Sequence, residues 1–281
     1  MWPGQAVYPS RTLRIEPASS WQGLHLRELW RYRELLYFFV WRDIKVRYKQ
    51  TVLGGLWAII QPVAATVLFT VFFGRLGGLS KQVNGSYALF VYVGLSLWTF
   101  HANAVTLAAN SLVGSSHLIA KVYFPRLLIP LASILSGLVD FAVAFAFLLV
   151  LMVAYRVPPS PQIAALPVFV IGTMIVAAGA GVLFSALIVS YRDFRYVITF
   201  AVQLWLYITP VLYTIDIIPP QWRLLYAVNP MVGMVAGFRA SVLGEPFPLD
   251  LLSVSALGAA VLLAAALWYF TAVERRFADV I

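Results

Sequence analysis

The sequence contains no cysteine, which excludes disulfides, thiolate metal sites and cysteine nucleophiles together. Charge is scarce as well, at 11% of 281 residues, where soluble domains carry about a quarter. Acids are the scarcer half, 11 against 20 bases. The resulting +9 would suggest nucleic acid in a soluble protein. Here, however, the bases sit beside apolar blocks, so membrane lipids with anionic headgroups are the expected partner and nucleic acid is not. His25, His101 and His117 are the only histidines; they are too scattered for a metal-ligand pattern, and each reads as a satisfied polar residue. No G-x-x-x-x-G-K-[ST], H-E-x-x-H or G-x-S-x-G occurs. The chain therefore lacks a phosphate-cradling loop with which to hydrolyse ATP, is not expected to be an enzyme, and needs no cofactor or metal of its own. The first twenty residues hold Pro3, Pro9, Arg11, Arg14 and Pro17 without an apolar run, so no cleavable signal peptide is expected. Repeats of 20 to 50 residues and inverted half-to-half similarity are likewise not apparent, which counts against an ion-coupled carrier.

What is abundant is apolar side chain, 62% of residues with a mean hydropathy of +0.86. It lies in long blocks rather than periodic stripes, and a block of about 18 residues or more spans the ~30 Å of bilayer hydrocarbon. The expected fold is an all-α polytopic membrane protein with six transmembrane helices at about 56–73, 87–107, 127–154, 163–189, 197–218 and 249–271, within a transmembrane domain at 55–281. Residues 1–54 form a lead and an amphipathic helix from Ser19 or Ser20 to about Gln50. In that helix Tyr37, Trp41, Ile44 and Tyr48 recur on one face and Arg42, Lys45 and Lys49 on another, the pattern of a helix lying in the membrane interface. Fifteen Lys and Arg fall on the side of the termini and five on the other, which puts both termini in the cytoplasm and makes the span count even.

Asp140 is the costliest residue, an acid in the middle of an apolar block. A structural role with His101 and Asn103 as bonding partners is preferred over a proton-coupling role, because a relay needs further intramembrane ionisable groups. The spacing of Ala177, Gly181 and Ser185, and of Ala256, Ala260 and Ala264, reads as ordinary bundle packing. Aromatics at span ends fit an interfacial belt. The deeper ones suit either packing against lipid and core, which is favoured from the residues alone, or stacking on sugars. Between the last two spans, Trp222 to Val228 and Met231 to Leu243 are too short to cross; they suit a re-entrant pair or an amphipathic loop helix equally.

The run W-R-D-I-K-V-R-Y-K-Q-T-V-L-G from Trp41 to Gly54, followed by Leu56-Trp57-Ala58 and Gln61-Pro62, resembles the opening of ABC-2 type permeases that export polysaccharides. Asn110 to Val113, Ile119 to Arg126, Tyr191 to Tyr196 and Asn229-Pro230-Met231 extend the resemblance over 20–243, nearest to exporters of lipid-linked O-antigen, with capsule and teichoic acid exporters close behind. It implies an inner-membrane homodimer, each subunit docked on a separate ATPase subunit that binds ATP and Mg, moving an undecaprenyl-linked polysaccharide along a path lined by the first, second and fifth spans. A cytoplasmic coupling helix is implied at 112–122, and the re-entrant pair at 222–243 becomes a periplasmic gate. Carried onto this sequence, ATPase coupling falls to Arg42, Lys45, Arg47, Lys49, Ser116, His117, Ile119, Lys121, Arg126, Arg192, Asp193 and Arg195. The path aromatics are Phe69, Phe72, Phe73, Trp98, Phe100, Trp205 and Tyr207, and the gate residues Trp222, Tyr226, Asn229, Pro230 and Phe238. The rival expectations are an ABC-2 exporter of a smaller lipid or drug and a proton-coupled carrier using Asp140, with a membrane-embedded transferase behind both.

The charge bias makes a direct topological prediction. With no native thiol as background, Ser116→Cys should react with an impermeant maleimide only from the cytoplasmic side. Labelling of that position from outside intact cells would overturn the orientation.

Overall fold

The computed structural model describes residues 26–49, 51, 54–83, 85–274 and 277. The N-terminal lead with its Ser19 or Ser20 cap, Gln50, Val52, Leu53, Arg275 and Arg276 lie outside the described residues. All regular structure among the described residues is helical: α1 (Leu26–Arg31), α2 (Arg33–Tyr48), α3 (Trp57–Phe69), α4 (Tyr87–Gly114), α5 (Ser116–Ile119), α6 (Leu128–Ala154), α7 (Leu166–Ser190), α8 (Phe194–Tyr207), α9 (Pro220–Tyr226), α10 (Pro230–Leu243) and α11 (Leu249–Val273). A 3-10 turn, Gly54–Leu56, leads into α3, which continues as a wider π-helical coil over Thr70–Leu76.

Among the described residues five stretches are long and apolar enough to cross a membrane: Gly54–Leu76, Tyr87–Gly114, Leu128–Ala154, Pro161–Ser190 and Leu249–Val273. They match five of the six expected spans. The second runs seven residues further than its hydropathy suggests, because its polar end bonds to itself. Asn110 Nδ2 donates to Thr106 O at 2.8 Å, and Ser111 Oγ donates to Ala108 O at 2.6 Å. The expected fifth span, 197–218, is not one helix. α8 has 14 residues, about 21 Å at 1.5 Å each, and the chain leaves helical form after Tyr207. Pro210 explains the break: it has no amide hydrogen, its ring collides with the carbonyl four residues back, and it disfavours helical Thr209.

α4 is the axis of the bundle, with 18 of its 28 residues buried against α6 on one side and α7 on the other. Ala177, Gly181 and Ser185 of α7 are buried, Gly181 lying against Ala108. The second small-residue stripe departs from expectation: Ala256, Ala260 and Ala264 are exposed, and α11 turns Leu251, Ser255, Ala259, Ala266 and Phe270 inward instead.

α10 decides between the two readings of the segment before the last span. Twelve of its 14 residues are buried, among α4, α7 and α11. A helix buried all round does not float on headgroups; α9 and α10 form the re-entrant pair, with α9 the exposed member. Asn229 starts α10 by accepting from Met231 N at 3.1 Å, and Pro230 occupies the first turn, where the missing donor costs least. Gly244, in the left-handed region at φ 77°, ends it.

Gly237 sets how closely α10 meets α7, since a Cβ there would lie 2.0 Å from Cε1 of Phe169, whose ring is stacked on Phe247 at 5.8 Å. Gly237→Ala should therefore destabilise the protein by about 1–3 kcal/mol through overpacking. Thermal unfolding in detergent measures this, and Phe169→Leu in the same chain should recover part of the loss.

Candidate functional site

Ser96, Thr99, Asn103, Thr106 and Asn110 recur at spacings of three and four along α4, which aligns them in one stripe. Ser96, Thr99, Asn103 and Thr106 of this stripe face a cavity of about 320 Å³ closed by the end of α2, the start of α3 and the middle of α6. Trp57, Gln61, Phe100, Phe141, Arg47, Tyr48 and Asp140 complete its wall. Gln61 and Asn103 are exposed at its rim. Amides, an ion pair and aromatic rings in one lining suit a ligand that carries hydroxyls and apolar patches together.

Asp140 does find a partner, though neither expected one. Arg47 Nη1 and the Tyr48 hydroxyl both donate to its carboxylate, and Arg47 Nη2 donates to Ser136 Oγ at 3.2 Å. One turn earlier Ser133 Oγ donates to Asp43 Oδ2 at 3.2 Å. α2 thus runs beside the first half of α6, so that Asp140 sits where α2 ends and is not at the centre of a lipid-facing span. Burial pushes the Tyr48 hydroxyl up to about 12, the hydrogen bond and charge of Asp140 adding in the same direction, so it stays a donor at physiological pH. The two-faced reading of α2 is corrected accordingly: Asp43 and Arg47 face α6, while exposed Tyr37, Phe38 and Trp41 share the outer side with Lys45 and Lys49. His101 is instead buried between Trp98 and Trp205, at ring separations of 5.4 and 4.8 Å, with neither nitrogen bonded.

The residues expected to couple to an ATPase divide into two groups. Ser116, Arg192, Asp193 and Arg195 surround one hollow of about 440 Å³ with Val113 and Tyr196, and His117, Lys121 and Tyr123 are exposed nearby in sequence. The expected helix at 112–122 is shorter than predicted: Leu112 to Gly114 complete α4, α5 is a single turn, and irregular chain follows. Ile119 is core, in contact with the Phe39 and Phe124 cluster. Arg126 donates to Glu274 O and lies 5.9 Å from the Phe277 ring. Arg42 pairs with Asp43 at 2.8 Å and Lys45 sits over Trp41 at 5.1 Å.

Of the seven path aromatics only Phe100 reaches the cavity. Phe69 is half-buried beside Phe73 at 5.6 Å, Phe72, Phe73 and Tyr207 are exposed, and Trp98 and Trp205 belong to the His101 cluster. Among the gate residues, Trp222 is exposed, Tyr226 bonds its hydroxyl to that of Tyr213, and Pro230 is buried. Phe238 is fully buried edge-on to Phe141, which makes it core rather than gate.

Arg239 is a buried charge that spacing and motif do not single out. It is 5% exposed, donates to Pro210 O at 2.8 Å and also to Val211 O, and lies 3.6 Å from the centre of the Phe90 ring. The signal was available: one charge within an apolar stretch, 29 residues beyond a proline.

A multi-helix membrane protein with a half-open cavity lined by rings, amides and an ion pair, a basic helix beside it and a compact surface of exposed charges fits a transporter's membrane subunit. The chain belongs to the ABC-2 type transporter family, whose model matches residues 34–243. It is 29% identical over 258 residues to an O-antigen export system permease protein RfbA of Myxococcus xanthus, covering 90% of this chain and 98% of that one. Identity is 26% over 249 residues to an RfbA of Klebsiella pneumoniae, covering 88% and 95%. The inner membrane transport permease YadH of Escherichia coli K12 is 30% identical over 200 residues, covering 66% and 75%.

The Arg47–Asp140 pair is testable by a double-mutant cycle. Asp140→Asn keeps an acceptor for Tyr48 but leaves the guanidinium without its counter-charge, at a cost of about 1–3 kcal/mol for a half-buried pair. Adding Arg47→Gln should restore most of that stability in thermal unfolding. Simply additive losses would show that the two residues are not coupled.

Proposed function

We propose that the chain is the permease subunit of an ATP-driven exporter that carries a lipid-linked polysaccharide of the O-antigen kind outward across the inner membrane. The observation that carries this is the cavity on α4, with exposed amides of Gln61 and Asn103 at its rim. Amides facing hydrocarbon are costly, so this side of α3 and α4 is covered by a second copy of the chain or by a wet path. Two subunits facing each other enclose a conduit whose amides, hydroxyls and rings suit a sugar chain. The names of the relatives in Myxococcus and Klebsiella support the same substrate class.

Energy comes from two copies of a separate ATPase, which hold ATP and Mg. They dock at the end that carries His117, Lys121, Arg192, Asp193 and Arg195, and this end is cytoplasmic by the excess of basic residues. Both termini lie on the same side. Within the exporter reading, the resemblance to a transport permease of unstated substrate keeps a smaller amphiphile as the alternative cargo. A proton-coupled carrier is disfavoured because Arg47 compensates the charge of Asp140.

The isolated chain should hydrolyse no ATP and should gain nucleotide-dependent activity only when purified with its ATPase. Deleting the chain should trap the lipid-linked glycan on the inner leaflet, read as loss of surface glycan in labelled cells. Hydrolysis by the pure chain, sensitive to its own mutations, would sink the proposal.

A further inference from the structure

α8 is only lightly embedded in the bundle. Of its 14 residues only Ile198 is buried, while Val197, Phe200, Leu204 and Tyr207 are exposed. Its first turn adjoins the hollow formed by Ser116, Arg192, Asp193 and Arg195. Its far end is held quite differently. Where the helix stops, backbone carbonyls lose their intrahelical donors and require others. Asn229 Nδ2 donates to Ile208 O at 3.3 Å and to Thr209 Oγ1 at 3.0 Å, and Asn229 Oδ1 accepts from Trp205 Nε1 at 2.8 Å. Arg239 donates to Pro210 O and Val211 O. Asn229 caps the start of α10 and Arg239 lies on the same helix about one turn before its end, so α10 supplies two of the side chains that donate to the break.

The fit around the guanidinium is close. A Cβ on Gly94 of α4 would lie 2.5 Å from Arg239 Nη2 and 3.0 Å from Val211 O. Tyr87, also on α4, donates to Leu212 O at 2.7 Å. Among the described residues no carboxylate pairs with Arg239. The guanidinium is answered by backbone carbonyls, those of Pro210 and Val211 just beyond the end of α8 and that of Phe90 on α4 at 3.4 Å.

We infer that Asn229 and Arg239 clamp the broken end of α8, so that α8 and the outer helix α10 move as one body. α8 then acts as a rod that carries a displacement from the 191–196 surface to the outer gate. The inference rests on the exporter reading for what pushes the rod, but the clamp stands on the geometry alone. Arg239 is a positioning residue: it acts through the backbone of 210–211 and touches no cargo.

Two measurements separate the clamp from the transmission. In the cysteine-free chain, Val211→Cys places a thiol on a side chain that is 0% exposed, while the carbonyl alone carries the clamp. Its maleimide reaction should be slow in the parent. It should speed up between about tenfold and about a hundredfold with Arg239→Gln, the range for losing hydrogen bonds to a charged group. Arg239→Lys should lie between, since an ammonium keeps the charge without the fork. An unreactive thiol in Arg239→Gln would overturn the clamp. For transmission, spin labels at positions 196 and 222 are compared between the two copies of the complex reconstituted with its ATPase, with and without a non-hydrolysable ATP analogue. Both positions should shift in the parent. In Arg239→Gln only position 196 should shift, with ATP hydrolysis persisting and export lost. A parent-like shift at 222 in that variant would overturn the rod. If Arg239→Gln does not fold, Asn229→Ala removes the other half of the clamp without stranding a charge, and the same outcomes decide. A parent that neither binds an ATPase nor shifts would reject the exporter reading and the rod together, and thiol reactivity would still judge the clamp.

Discussion

Hydrocarbon offers no water to an unpaired carbonyl or amide, so every backbone group inside a bilayer must be satisfied by the protein itself. Unbroken helices do this without help. α8 does not, because Pro210 stops it after 14 residues, and the carbonyls of Ile208, Pro210, Val211 and Leu212 must be answered from outside. Asn229, Arg239 and Tyr87 answer them. That requirement reaches through the fold: α10 must be buried deeply enough to bring a guanidinium to the break, and α4 must be narrow at Gly94 to admit it. The re-entrant pair is therefore part of the interior and not an appendage on it.

The same constraint gives Asp140 its meaning. An acid in the middle of an apolar helix needs a counter-charge, and α2 supplies one by running alongside α6. The pair ties α2, whose outer side carries Lys45 and Lys49, to the wall of the cavity. A displacement of α2 would thus be felt at Asp140, which lines the same cavity as Thr99, Asn103 and Thr106.

Hydropathy made five spans legible because length and apolarity alone decide them. It failed at the fifth because a sliding average treats Pro210 as one residue among many, whereas its effect on the chain is local and steric. The need for a partner at Asp140 was readable, but its identity was not: Arg47 lies 93 residues away in sequence, and nothing in local spacing shows that α2 runs beside α6. Arg239 escaped for a different reason. Counted as a loop charge in the topology, it was never asked the question put to Asp140, though both are single charges in apolar stretches. The 191–196 connection and Ser116 were legible through resemblance, and the structure adds that they border one hollow. The aromatics were the least legible, since ring content says nothing about which face of a helix is turned inward.

Cohesion is distributed unevenly, and the unevenness points the same way as the polar groups. α4, α7 and α10 bury most of their surface against each other, while α3 and α8 bury little. In a soluble protein such helices would be poorly held; in a bilayer, lipid or a second copy covers them. Lipid does not suit every exposed face, because Gln61 on α3, Asn103 on α4 and Gln203 on α8 are exposed within apolar helices, and amides in hydrocarbon are expensive. Those faces call for protein or water. A packed bundle with two lightly buried helices and polar edges is what a pathway between subunits requires, and of these two walls α8 stays joined to α10 at its broken end through Asn229 and Arg239.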